Sequence, residues 1–349
     1  MSFPDPNHSE NLPDAIEDLA QLEEMLSRPW LETVECLAEL DGDIMVIGAT
    51  GKIGPSLTRC VQRGLAVSGN TKRFFAVSRR PMPELAAAGI ETIECDLLDL
   101  AAVERLPRVK NVIYLVGRKF GSVGQEEQTW ATNVIAPSHV ARTFTDSRIV
   151  AFSTGCVYPI EHISTGGSTE ITRPNPVGEY AMSCLGRERI FDYHATVTAT
   201  QMVHFRLNYA VEMRYGVLVD VATKVFRGEP VDLTTGYANV IWQGDVNNQA
   251  ILSLRHASSP ALKLNVTGPE LISIREVAES FGKRFGQEPI FVGESNGQGY
   301  LSNAALAGRM FGYPRVPFSR IIEWTADWVA RDKETHNKPT CFETQDGSY

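Results

Sequence analysis

No apolar run in this chain of 349 residues approaches the roughly twenty needed to cross a bilayer, so a membrane role is not expected. The opening stretch MSFPDPNHSENLPDAIEDL lacks the basic-then-apolar order of a secretion signal. Six cysteines (36, 60, 95, 156, 184 and 341) include no CxxC pair and no metal-ligand spacing. That suits reduced thiols in a cytoplasm better than a disulfide framework. Dense Lys/Arg clusters with interleaved aromatics are also lacking, so nucleic acid is not an expected partner. What remains is an ordinary globular composition, 43% hydrophobic and 21% charged. The length allows one large or two intimately joined domains.

Charge is unevenly spread. Residues 1–43 hold twelve acidic side chains against Arg28 alone, a net of −11, and the rest of the chain nets +2. Within that segment DAIEDLAQLEEML places Ile16, Leu19, Leu22, Met25 and Leu26 at helical spacing, and WLETVECLAEL predicts a second short helix after Pro29. A helical N-terminal extension over 1–42 is therefore expected. It would pack on its own subunit, form a dimer contact or cover a cleft.

From Asp43 onward strands alternate with helices. DIMVIG, RFFAVS, TIEC, NVIYLVG, RIVAFS and QMVHFRL are six apolar strands, which argues for a parallel sheet with helices on both faces. The expected fold is α/β, a Rossmann-type doubly wound sheet over 43–208 to which 236–256 return. A smaller mixed α/β substrate domain over 209–332 would include the strand LKLNVTG and the helix ISIREVAESFGKRFG capped by Ser273. A polar tail, 333–349, is expected to be loosely held.

The stretch VIGATGKIGPSL carries Gly48, Gly51 and Gly54 between the first strand and a helix. Glycines so placed let the chain turn sharply, let backbone approach a pyrophosphate and let helix pack on strand. The phosphate charge then meets the positive end of the helix. The second strand ends in Ser78, Arg79 and Arg80, where an acidic side chain would suit a ribose diol and arginine suits a 2′-phosphate. This predicts NADP, with NAD as the alternative. Asp96, after the third strand, is placed to meet the adenine amino group.

With this turn, FSTGCVYP on the fifth strand, and Tyr180 in GEYAMSCLGRERIF, the chain resembles the extended short-chain dehydrogenase/reductases. More narrowly it resembles the NAD-dependent epimerase/dehydratase family, from about Asp43 to Ala330. TWATNVIAPSHVA resembles the family's fourth helix, RLNY the end of its sixth strand, and YANVIWQGDVNNQAI the segment leading to Asp245. The resemblance implies Thr154 and Tyr180 as catalytic residues, the tyrosine moving a proton and the threonine holding the same oxygen. It implies cofactor contacts from Gly48, Thr50, Gly51, Lys52, Ile53, Gly54, Ser78, Arg79, Arg80, Asp96, Leu97, Leu115, Val116, Gly117, Asn133, Tyr180 and the position of Cys184. Substrate contacts fall to Ser153, Cys156, His162 and Asn208.

The departures from the family are informative. The lysine expected four residues after the tyrosine is Cys184, and a neutral thiol supplies no positive charge. At an effective dielectric of about 20 a charge 4 Å away contributes about 4 kcal/mol, so its loss raises the tyrosine pKa by roughly two units. Arg187 is a candidate substitute one turn on. Gly155 and Cys156 replace the Asp-Glu of 4,6-dehydratases, and Ala238 beside Asn239 stands where relatives often clamp a nucleotide diphosphate with arginine. His162, His194 and His204 show no metal-ligand spacing and read as structural, His162 being the one nearest the strand with Thr154. The expected function, in carbohydrate metabolism, is an NAD(P)-dependent oxidoreductase or epimerase of a small sugar, sugar acid or related compound. The expected assembly is a homodimer. The alternative is an NADP-binding sensor or partner subunit with lost or redirected catalysis.

Overall fold

The computed structural model describes residues 12–119, 121 and 124–347. Ile44–Ile47 (β1) is buried at all four positions, as an apolar run covered on both faces must be. Its side chains alternate: Ile44 and Val46 join one core with Leu57 and Val61, while Met45 and Ile47 join another with Val140 and Phe191. Beside it lie Phe74–Ser78 (β2) and Asn111–Tyr114 (β4), with Ile44 opposite both Phe74 and Asn111. Glu91–Glu94 (β3), Arg148–Thr154 (β5), Gln201–Leu207 (β6) and Leu262–Val266 (β7) complete a sheet ordered β7-β6-β5-β4-β1-β2-β3. Every neighbouring pair is parallel. The order reverses between β1 and β4, which opens a crevice at the carboxyl ends of the strands.

Two sequence expectations change here. The run LKLNV, assigned above to the smaller domain, is the seventh strand of the main sheet, with Leu262 opposite Val203. Its local pattern marks a strand but says nothing about which sheet receives it. The tail expected to be loose is docked: Phe342 is 2% exposed in the substrate-side core with Val217, Phe281 and Trp324. Lys224 pairs with Glu343 at 2.8 Å, and the Thr235 hydroxyl donates to the Glu343 carbonyl. One aromatic among polar residues anchors the segment, and periodicity does not reveal such an anchor.

Helices α1 (Leu19–Leu26) and α2 (Leu31–Glu39) form the described part of the extension; residues 1–11 lie outside the described residues. The first helix starts later than its periodicity suggests, because the Asp18 side chain caps it by accepting from the Gln21 N–H. Both helices pack on their own subunit. Their acidic excess meets cations scattered along the chain: Glu23 bridges Arg59 and Arg214, Glu24 meets Arg63, Glu32 meets Arg315, and Asp41 meets Arg148. The start of the described chain also closes on its end. Trp324 donates to the Pro13 carbonyl at 2.9 Å, and Arg331 pairs with Glu17 at 2.7 Å.

Helix α3 is Gly54–Val67, and three more helices organise the rest: α4 (Gly178–Thr198), α5 (Val217–Arg227) and α6 (Gln243–Leu252). Every residue of α6 is buried although five of its side chains are polar or charged. Their hydrogen bonds explain this. Gln243 and Asn247 donate to the Ser56 hydroxyl of α3, and Asn247 also to the Leu26 carbonyl. Asn248 accepts from the Trp30 N–H and the Thr33 hydroxyl. This helix is the polar seat on which the extension rests.

Asp245, in the first turn of α6, accepts from the Val316 N–H at 3.2 Å, and burial pushes its carboxyl up from 3.8 to about 7. Between those values the folded state keeps a proton that the unfolded chain has released. This group's contribution to stability is therefore present below about pH 4 and lost as pH rises to about 7. Asp245→Asn should flatten that slope by roughly 1.4 kcal/mol for each pKa unit removed. Urea denaturation near pH 4.5 and pH 7.5 checks it, and equal slopes in both proteins would refute it.

Candidate active site

The turn after β1 is built as its glycines require. Gly48 adopts φ +100°, and a Cβ there would meet Val116 at 2.9 Å. A Cβ on Gly54 would lie 2.5 Å from the Ala49 and Gly48 backbone, so only glycine lets α3 start so close to the strand. The Gly51 position is more open, with its nearest neighbour the Gly48 carbonyl at 3.4 Å. From this turn a cleft of about 720 Å³ runs along the carboxyl ends of the strands.

At one end Ser78, Arg79, Arg80, Asp96 and Leu97 line the cleft. The Ser78 hydroxyl shares a hydrogen bond with Thr50 (2.6 Å) and accepts from the Arg80 N–H, which fixes the strand end while both arginines stay exposed. Leu115, Val116 and Gly117 form the middle, and Ser153, Thr154, Cys156, Tyr180 and Asn208 the far end. Asn133 and Cys184 stand behind the lining rather than in it, 0% and 1% exposed. His162 is exposed on a short strand pair with Gln298 and bonds Ser164, outside the cleft lining. His194 meets Ser138, and His204 meets Asp192 at 2.7 Å. Among the described residues no three His, Cys, Asp or Glu side chains gather to hold a metal.

Thr154 ends β5 and Tyr180 lies in the first turn of α4, and the two hydroxyls are hydrogen-bonded. Thr154 Oγ1 also accepts from the Cys156 N–H at 3.2 Å, and its bond to Tyr180 favours the phenolate, as a donated hydrogen does. The Tyr180 phenol is held well above its ordinary value, first by burial and then by the Cys184 and Cys156 thiols. Arg187 and Thr154 oppose that rise. Burial likewise pushes the Cys184 thiol up to about 11, so it stays neutral beside the tyrosine.

The positive charge missing at 184 comes from one turn on. Arg187 Nη2 lies 3.7 Å from Cys184 Sγ and 2.9 Å from Asn133 Oδ1, while Nη1 donates to the Phe152 carbonyl at 2.7 Å. Asn133 sits on a π-helical turn, Ala131–Ile135, that aims its amide inward. There it also accepts from the Arg118 N–H and donates to Ser183. Beneath lies a buried ion pair: Glu188 of α4 accepts from Arg206 of β6 at 2.9 and 2.6 Å and from the Ser153 hydroxyl at 2.6 Å. Arg206 donates on to Tyr158, which donates to Asn265 of β7. This network ties β5, β6 and β7 to the helix that presents Tyr180.

Sequence reasoning missed Lys119, Tyr209, Tyr215, Lys338 and Thr340, all of which line the cleft. Tyr209 follows the quoted Asn208 and was within reach of the motif. The others sit in loops and tail where no spacing singles them out.

A glycine turn between strand and helix, opening at the switch point of a parallel sheet, is the architecture of a Rossmann-type fold. The NAD dependent epimerase/dehydratase family model matches residues 44–211, from β1 to just beyond β6. Among solved structures, MoeE5 in complex with UDP-glucose and NAD is 22% identical, with 83% of this chain and 99% of that one covered at a TM-score of 0.67. The UDP-glucose 4-epimerase of Thermus thermophilus in complex with NAD is 20% identical, covering 82% and 99% at 0.66. The Bordetella bronchiseptica enzyme WbmG in complex with NAD and UDP is 18% identical, covering 86% and 99% at 0.68. At these identities the agreement is one of fold. No curated protein sequence matches the chain.

Proposed function

We propose that this protein is an NAD(P)-dependent oxidoreductase or epimerase acting on a hydroxyl or carbonyl of a small sugar, sugar acid or related compound. The observation that carries this reading is the hydrogen-bonded Thr154–Tyr180 pair in the cleft that begins at the glycine turn. The turn and the exposed arginines fit a dinucleotide: Gly51 leaves room for phosphate, and α3 presents its positive end. Bound, the nicotinamide would supply or accept the hydride. Tyr180, protonated at neutral pH, gives its proton to a carbonyl oxygen, and Thr154 donates to the same oxygen. Arg187, held by Asn133 and the Phe152 carbonyl, favours the phenolate left behind. In an epimerase the same side chain would enter as the phenolate that Arg187 favours, take the hydroxyl proton and later return it to the same oxygen.

Arg79 and Arg80 favour NADP as the cofactor. Fluorescence titration with NADPH and NADH tests the reading, with NADPH expected to bind more tightly. Arg79→Ala should narrow the preference by about tenfold, the size of a charge-assisted contact of roughly 1.4 kcal/mol. An unchanged ratio would assign NAD, and no binding of either would favour a sensor or partner subunit. Trp130, Ile135, Tyr193 and Val197 are 38–67% exposed on adjacent helices, which supports a homodimer through that side. The six free cysteines, five of them buried, suit the cytoplasm.

A further inference from the structure

None of the described residues of the N-terminal extension lines the cleft, yet the extension grips an element that does. That element is a short hairpin, residues 212–215, closed by two backbone hydrogen bonds between Glu212 and Tyr215 at 3.0 and 3.2 Å. A pair this short is not stable alone, so whatever packs on it sets its position. Met213, at the tip, is fully buried and shares a core with Leu22, Met25 and Leu26 of α1. Arg214, beside it, is held from two sides. Its N–H and Nε donate to the Glu212 carboxylate at 2.9 to 3.2 Å, and its Nη1 donates to Glu23 of α1 at 2.8 Å. From the tail, the His336 N–H donates to the Arg214 carbonyl at 2.9 Å. Glu212 is 3% exposed, so this pairing is little screened by salt.

The other end of the hairpin faces the cleft. Tyr215, Gly216 and Val217 line it, and Lys52 of the glycine turn stands over the Tyr215 ring, its Nζ 2.9 Å from the ring centre. Gly216 leaves no slack between the hairpin and α5. It adopts φ +141°, and a Cβ there would lie 2.7 Å from Val211. Glu23 also accepts from Arg59 of α3 at 2.6 Å, and α3 is the helix that begins at the glycine turn. One carboxylate of the extension therefore staples together the two elements whose separation sets where Tyr215 stands against that turn.

We propose that Glu23 is a positioning residue for the dinucleotide site: through Arg214 and the hairpin it holds the Tyr215 ring as a wall beside the glycine turn. This rests on the oxidoreductase reading of the cleft and gives the acidic extension a part in it. The test titrates full-length wild type, Glu23→Gln, Tyr215→Leu and the double variant with NADPH and, in parallel, NADH. Thermal unfolding is followed on the same samples. Glu23→Gln is expected to weaken the tighter-binding cofactor about fivefold, the lower end of couplings between separate sites. Tyr215→Leu should weaken it at least as much, and the double variant no further than Tyr215→Leu alone. A merely structural Glu23 would lower the unfolding temperature and weaken binding equally in both backgrounds, and that additive result overturns the assignment. So does an unchanged affinity in either single variant. Should Tyr215→Leu fail to fold, Arg214→Lys replaces it: the lysine keeps a charge for Glu212 but lacks the fork that also reaches Glu23. In that background Glu23→Gln should again add no loss, and a further loss overturns the assignment. A wild type that binds neither cofactor overturns the oxidoreductase reading, and the positioning role with it.

Discussion

Tyr180→Phe is expected to lower turnover by at least about a hundredfold while NADPH affinity stays within about twofold. The substitution removes one hydroxyl and keeps the ring that packs against Ala181, Cys156 and Tyr300. On the proposed mechanism the effect falls on kcat, since there the phenol moves a proton in the transition state and adds little to cofactor binding. Its proton affinity is raised mainly by burial, and Arg187 supplies the opposing charge from behind Cys184. The decisive measurement is NADPH absorbance with whichever sugar or sugar acid proves active. A variant retaining most of its turnover would remove Tyr180 from the chemistry.

The largest stability effect is expected at the ion pair beneath the site. Both side chains of Glu188 and Arg206 are 1% exposed, so neither charge has water to fall back on. Arg206→Met should cost about 3–5 kcal/mol, because it strips a buried carboxylate of both arginine hydrogen bonds and leaves it that of Ser153. The double variant Arg206→Met/Glu188→Leu should recover most of that loss, since two charges and their desolvation vanish together. Urea denaturation of single and double variants decides the matter. Equal losses in both would mean that packing, rather than the stranded charge, sets the penalty.

What the sequence made legible was local. Gly48, Gly51 and Gly54 announce their turn because the geometry they permit lies within seven residues of chain. Thr154 and Tyr180 are visible through motifs that resemble a family. The destination of β7 was not legible, since a strand's neighbours are chosen by the whole sheet. Neither was the meeting of Lys52 with Tyr215, which the topology makes and no spacing encodes. Arg187 lay between the two. Its distance along the helix was readable, but its anchoring by Asn133 depends on a π turn in another helix. The acidic excess of the extension was plain, whereas the arginines that answer it are scattered from 59 to 331.

The meeting of the two chain ends has a consequence for the order of assembly. Trp324 and the Pro13 carbonyl are 311 residues apart in sequence, and the buried Ile16 shares a core with Trp324 and Trp328. During synthesis the extension is made long before its partner helix (Phe318–Ala330). Ile16 therefore lacks its Trp324 and Trp328 neighbours until that helix emerges, whereas Leu37 and Leu40 meet Leu57 and Val61 early.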